Sequence, residues 1–401
     1  MLHSNHFTSG LIEYLEQNED IKQIELFLVF ELTENLTKFE LEQKIRKNGI
    51  KILYRFTILP ILFVRCDKTD ITYLSSLNII QTIDINYRCY LSHVSQEKGN
   101  FEKSTRIHTV KNKKKLGSGL KIALIDTGID QNHPIFRRNK ISKIDITNET
   151  WDDIIGHGTL IAGIVAKYLP KSEIIDVKIV KKSGLIFASD VLFGLEQIYW
   201  KRFDILLFGC SSPTPSDGDD VLSQACRKFV ENGISIVIPA GNFGPEKNTL
   251  GFSAEIPKSY CIGSLSPSNK ISFFSSRNIK KPDYYIKGEN MNSAISFHGI
   301  LGNQASARSH YRIFSGTSVS AAKFVAIWGM IKNCFPEYDY NQMQKLLCNF
   351  SSNTRFLEIK KIYEQILGSQ PNMGVFLKNA IMASIITAIF GALGICAIIF
   401  L

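Results

Sequence analysis

The feature that most constrains this chain is a set of short segments that are apolar at every position rather than at every second one. Lys121–Asp126 reads KIALID, Asp204–Gly209 reads DILLFG, Ser235–Gly241 reads SIVIPAG, and Cys261–Ser264 completes the set. A strand with one wet face alternates apolar and polar side chains, so strands that are apolar throughout belong to a parallel sheet covered by helices on both faces. The segments between them supply such helices. His157, Leu160, Ile161, Ile164 and Val165 stand at i, i+3, i+4, i+7 and i+8, and Val191, Leu192, Leu195, Ile198 and Tyr199 form a second stripe of the same kind. Residues 120–365 therefore read as one open-sheet α/β domain.

Residues 20–95 follow another rhythm. Gln23 to Glu31 reads as a strand, Thr37 to Asn48 as a helix, and Ile50 to Phe56 and Ile61 to Cys66 as strands around Pro60. A short helix from Asp70 to Leu77 and a strand from Ile79 to Ile85 follow. Two β-α-β units of this size suggest a small ferredoxin-like α+β domain. The basic, Gly-containing stretch 96–119 then reads as a linker. The chain holds 47 Lys and Arg against 37 Asp and Glu, a net charge of +10, and the excess is concentrated there. Residues 98–115 carry seven bases against Glu102 alone, whereas residues 1–44 carry nine acids against three bases. No aromatic platform or zinc spacing accompanies the basic block, so it reads as a solvated tether and no nucleic-acid partner is expected.

With 401 residues, 44% apolar and 21% charged, the chain is neither disordered, collagenous nor a multi-span membrane protein. Its eight cysteines are scattered without a CxxC pair or a Cys/His cluster, so thiolate metal binding is not expected, and disulfides are neither assigned nor excluded. Ala380 to Leu401 runs 22 residues without a charge. As a helix this reaches about 33 Å, matching a hydrocarbon core of about 30 Å, so 380–401 is expected to be a transmembrane helix and the membrane a partner. No signal peptide is visible in the first 35 residues, because the apolar run Leu26 to Phe30 is short and bracketed by Glu25 and Glu31. Sequons at Asn35, Asn148 and Asn349 suit a lumenal protein.

Three segments place a reactive side chain beside glycines at the edge of an apolar element: Asp126-Thr127-Gly128 ends a strand, while Gly156-His157-Gly158-Thr159 and Ser315-Gly316-Thr317-Ser318 each open a helix. A serine hydroxyl is a poor nucleophile at neutral pH. A histidine must take its proton, and a carboxylate must hold that imidazole in the right tautomer and stabilise its cation. The order Asp, His, Ser is that of subtilisins and differs from that of the chymotrypsin and α/β-hydrolase types.

With these motifs the chain resembles the subtilisin-like serine proteases over about residues 20–365. A fourth segment, Ala240-Gly241-Asn242-Phe243-Gly244-Pro245, is similar to the one that supplies the family's oxyanion-hole asparagine. The resemblance implies Asp126, His157 and Ser318 as the triad, Asn242 as oxyanion donor, and the small N-terminal domain as an inhibitory propeptide. Within the family, Asn148-Glu149-Thr150 with Asp152-Asp153, and Phe274-Ser275-Ser276-Arg277 with Lys281-Pro282-Asp283, are similar to the site-1 (kexin isozyme) protease group. Two positions depart from the family pattern. Ala322 replaces a proline after the serine, at little expected loss because alanine is a strong helix former. The substrate-pairing strand, usually Ser-Leu-Gly-Gly, reads Gly209-Cys210-Ser211-Ser212, which narrows the cleft.

The expectation is therefore a subtilisin-like parallel sheet with helices on both faces, preceded by the propeptide-like domain and followed by the 380–401 helix. The expected function is a membrane-anchored serine endopeptidase acting on polypeptides, on the lumenal side of the secretory pathway rather than as a cytosol-facing tail anchor. It removes its own propeptide at Leu91, within the Arg-x-x-Leu pattern of Arg88-Cys89-Tyr90-Leu91. Gly209, Cys210 and Ser211 are expected to bind substrate. No cofactor is required; the resemblance implies that structural calcium can stabilise such a domain, although no loop here has a defensible calcium-ligand spacing. The alternative is a protease-like scaffold that binds peptides with little or no turnover.

Overall fold

The computed structural model describes residues 6–368 apart from 32–37, 58, 93–115, 150–151, 253–255, 298, 301–310 and 352–354. The larger unit is built on seven parallel strands: β6 (Lys121–Asp126), β7 (Lys140–Asp145), β8 (Glu173–Lys178), β10 (Ile205–Phe208), β12 (Ser235–Pro239), β13 (Ser259–Leu265) and β14 (Tyr284–Lys287). Their order across the sheet is β14-β13-β12-β10-β6-β8-β7. The all-apolar strands are explained by where successive side chains go. Ala123 and Ile125 of β6 enter one core while Ile122 and Leu124 enter a second; Leu206 and Phe208 of β10 likewise separate from Ile205 and Leu207. Both faces are dry because helices cover both, with α5 (Ala188–Ile198) and α6 (Val221–Glu231) on the first. On the second lie α4 (His157–Tyr168), α7 (Thr317–Cys334), α8 (Tyr340–Ser351) and α9 (Ile359–Gly368).

Strands β7, β8 and β14 lie outside the apolar set found in the sequence, so that set was incomplete. Strand β8 reads EIIDVK, and its buried Asp176 and Lys178 interrupt the apolar run. Strand β7 is an edge strand with half-buried side chains, where charge is ordinary. The chain extends the sheet to one side with β7 and β8 and to the other from β10 onward. That reversal beside β6 creates a crevice at the carboxyl ends of the strands, where α/β sheets gather ligands. A small antiparallel pair, β15 (Met291–Ala294) with β16 (Tyr311–Phe314), packs beside α4.

The smaller unit is a four-stranded antiparallel sheet, order β2-β3-β1-β4, from β1 (Gln23–Phe30), β2 (Lys51–Arg55), β3 (Ile61–Asp67) and β4 (Ile80–Ile85). With α2 (Lys38–Lys47) after β1 and α3 (Asp70–Ser75) after β3, this is a split β-α-β arrangement. A further helix that the sequence reading did not anticipate, α1 (Ser9–Gln17), precedes it, capped by the Thr8 hydroxyl accepting from Leu11 N. The unit's core is continuous with the α5/α6 face of the large sheet. Phe56 stacks on Phe193 at 5.2 Å, and Glu196 accepts from Thr57 N and Oγ1 at 2.6 and 2.7 Å.

The rest of the contact is made at helix starts, where backbone N–H groups lack partners within the helix. Asn86 Oδ1 accepts from Ser189 N in the first turn of α5 at 3.0 Å, and Asp84 Oδ2 accepts from Val221 N, the first residue of α6, at 2.9 Å. The basic segment 98–115, the sequon Asn35 and the expected membrane span 380–401 lie outside the described residues. Among the described residues no helix is long and apolar enough to cross a membrane.

Candidate active site

Asp126 is the last residue of β6, His157 the first of α4, and Ser318 the second of α7. Three separate elements thus deliver their polar side chains to the crevice, and all three side chains are buried. His157 Nδ1 stands 2.8 and 2.9 Å from the two Asp126 carboxylate oxygens, and its Nε2 stands 3.1 Å from Ser318 Oγ. Asp126 Oδ1 also accepts from Thr127 N at 2.7 Å, which fixes the carboxylate plane. With Nδ1–H donated to Asp126, Nε2 is the basic nitrogen and faces the serine proton. That geometry permits transfer of the Ser318 proton to His157.

Gly209 is tied to this row by close approach. A Cβ there would lie 1.9 Å from Asp126 Oδ2, so any larger residue would displace the carboxylate. Gly209 therefore serves the Asp126 side of the site as well as the cleft, where its carbonyl accepts from Ser92 N at 3.2 Å.

Asp153 is a residue whose part the sequence reading missed. It is fully buried, and its carboxylate accepts from Thr127 Oγ1 (2.7 Å), Gly156 N (2.7 Å), Thr159 N (2.9 Å) and Thr159 Oγ1 (2.6 Å). Burial pushes its acid up from the usual carboxylate range, and the four donors oppose that. It ties the turn after Asp126 to the start of the helix that carries His157, which makes it a positioning residue. The available signal was the Asp152-Asp153 pair just ahead of Gly156-His157.

Asn242 follows β12. Its Oδ1 accepts from Thr317 N at 3.0 Å and from Thr317 Oγ1 at 2.9 Å, so the oxygen is turned toward Thr317 and the NH2 away from it. Thr317, which the sequence showed only as a member of the serine motif, thereby sets the orientation of the amide.

The cleft is filled by the chain itself. β5 (Arg88–Leu91) lies antiparallel between β9 (Ile186–Phe187) and β11 (Cys210–Ser211), with Leu91 opposite Cys210 and Tyr90 opposite Ser211. All three residues expected at the substrate strand, Gly209, Cys210 and Ser211, contact this segment. Leu91 does not stand at the serine, however. Ser318 Oγ is 3.0 Å from the carbonyl oxygen of Ser92, one residue further on, because register on Cys210 places Leu91 one step back along the cleft. Among the described residues no group of three or more His, Cys, Asp or Glu side chains is arranged to hold a metal ion.

This fold and row of side chains agree with what the chain is similar to. The Subtilase family model matches residues 117–364, and the chain belongs to that family. It is 29% identical to subtilisin E of Bacillus subtilis over 172 residues, covering 40% of this chain and 44% of that protein. It is 28% identical to serine protease AprX of Bacillus subtilis over 272 residues, covering 58% and 61%. It is 26% identical to the membrane-bound transcription factor site-1 protease of Homo sapiens over 212 residues, covering 51% and 20%. The chain thus spans less than half the length of subtilisin E. Among solved structures, fervidolysin from Fervidobacterium pennivorans, a keratinolytic enzyme related to subtilisin, superposes with a TM-score of 0.67 at 15% identity. That likeness covers 85% of this chain and 61% of fervidolysin, and it bears on the fold.

Proposed function

We propose that this chain is a serine endopeptidase whose N-terminal unit is its own inhibitory propeptide. The observation that carries the reading is the continuous row from Asp126 through His157 to Ser318, ending 3.0 Å from the Ser92 carbonyl oxygen. His157 Nε2 takes the Ser318 proton as Oγ attacks the carbonyl carbon. Asp126 keeps Nδ1–H in place and stabilises the imidazolium. The Asn242 amide and the Ser318 backbone N–H receive the oxyanion. Collapse breaks the C–N bond, the amine leaves with the proton from His157, and water then releases the acyl group by the reverse route. The chemistry needs no cofactor.

On this reading the first bond cut is Ser92–His93 rather than the one after Leu91. The scaffold alternative rests on Cys210, Ser211 and Ser212, which narrow the cleft. That strand nevertheless pairs with Tyr90 and Leu91, so the cleft admits a peptide strand. Anchoring through 380–401 with the catalytic unit in the secretory lumen remains part of the proposal, supported by the uncharged run and by exposed Asn148 and Asn349. The test is the intact mass of the purified full-length chain over time. Wild type should yield an N-terminal fragment ending at Ser92. The same fragment from Ser318→Ala would mean that another protease makes the cut.

A further inference from the structure

Because Ser92 presents its carbonyl to Ser318, its side chain occupies the pocket of the residue that precedes the cut bond. That pocket is unusually closed. Ser92 is 2% exposed, and its Oγ stands 3.2 Å from Ser211 Oγ, itself buried. Strand pairing puts Tyr90, Ser92 and Ser211 on one face, since Tyr90 lies opposite Ser211 and Ser92 is two residues beyond Tyr90. The Phe243 ring is on that face as well, edge-on to Tyr90 at 5.6 Å.

The far wall is Gly241, whose φ of +102° already disfavours a side chain. A Cβ at Gly241 would meet Phe243 ring carbons at 2.9 and 3.0 Å and Ser211 Oγ at 3.1 Å. The ring and the hydroxyl therefore lie directly against the glycine, in space that a larger substrate side chain would need. Both residues thus close it. Phe243 is held there by its N–H donating to Ser276 Oγ at 3.0 Å, and Ser211 by its place in the cleft strand.

We infer that Ser211 and Phe243 are specificity-determining residues that restrict the position before the scissile bond to Ser, Ala or Gly. The substrate class is then a polypeptide strand with a small residue there and an aromatic ring two residues earlier, placed like Tyr90 against Phe243. This rests on the endopeptidase reading and specifies its substrate. Packed pockets discriminate steeply: one surplus methylene changes transition-state binding by about 10- to 200-fold.

The test uses self-cleavage of the full-length chain. Ser92→Ala should be cut at Ser92–His93 within a few-fold of the wild-type rate, and Ser92→Phe about a hundredfold or more slower. The double variant Ser92→Phe/Ser211→Gly removes the hydroxyl and should recover about tenfold or more of that loss, which a merely misfolded Ser92→Phe chain would not. Wild-type speed for Ser92→Phe, or no recovery in the double variant, overturns the inference. A fluorophosphonate probe on the same samples separates the two readings. Ser318 labelled in a wild type whose cleavage ignores residue 92 overturns the pocket and leaves the endopeptidase standing. No cleavage and no labelling in wild type overturns both.

Discussion

The contact between the two units depends on a buried pair of acids, and its response to pH follows from the geometry. Asp84 is fully buried: Oδ1 accepts from Thr8 Oγ1 and Ile85 N, Oδ2 accepts from Val221 N, and Asp220 lies beside it holding the Tyr87 hydroxyl at 3.0 Å. Burial first, and the neighbouring Asp220 charge second, push the Asp84 acid up from 3.8 to about 7. Undocking returns this carboxyl to water and to its ordinary value. The docked form therefore holds the proton more tightly, so the N-terminal unit grips hardest below about pH 4, weakens as pH rises, and stops changing above about pH 7. A shift of about 3 units at about 1.36 kcal/mol each sets a ceiling of about 4 kcal/mol for Asp84.

Asp84→Asn keeps the shape and removes the titration. The assay is the rate at which a fluorophosphonate labels Ser318 in the self-processed, non-covalently held complex, because the probe enters only when the Ser92 segment leaves. Dividing each wild-type rate by the variant rate at the same pH cancels every pH dependence that the two proteins share. That ratio should rise about tenfold or more between pH 5 and pH 7.5. A flat ratio would refute the argument that ionisation of Asp84 weakens docking.

Other outcomes test single parts of the site. On the proposed mechanism, in which the amide acts on the oxyanion alone, Asn242→Ala should lower kcat by about a hundred- to a thousandfold with little change in KM; an unchanged kcat removes its role. Asp176 is buried in β8 with its acid pushed up to about 8, chiefly by burial. The folded chain thus binds the extra proton, and stability should fall between about pH 4 and pH 8. Melting curves in the Ser318→Ala background should show a smaller loss of Tm from pH 5 to pH 8 for Asp176→Asn, and equal losses would contradict the assignment. A hydrogen bond to Cys210 and burial push the Cys89 thiol well up, while Cys348 is exposed. Iodoacetamide should modify Cys348 about tenfold faster or more in the docked chain; equal rates would mean that the segment is not held in the cleft.

The large sheet was legible where both faces of a strand are dry, because KIALID and DILLFG then admit no polar alternation. It was illegible in β8, where Asp176 and Lys178 are accommodated by partners far away in sequence. Ile129 N donates to Asp176 and the Asp152 carbonyl accepts from Lys178. The three reactive side chains were legible because each sits beside glycine at an element end. The residue that reaches Ser318 was not, because an Arg-x-x-Leu pattern carries no register. Pairing of Leu91 with Cys210 decides it, and that pairing is tertiary. Asp84 and Asp220 look like ordinary surface acids in the sequence, and only the docking of α6 on β4 makes them neighbours.

In the proposed mechanism Ser318 is a nucleophile activated by His157. The most direct measurement is the mass of the Ser318-containing peptide after wild type, and separately His157→Ala, are freed of the N-terminal unit and exposed to a fluorophosphonate. An adduct should form on Ser318 in wild type and accumulate about a thousandfold or more slower without His157. No adduct in wild type, or equal rates in the two proteins, would contradict it.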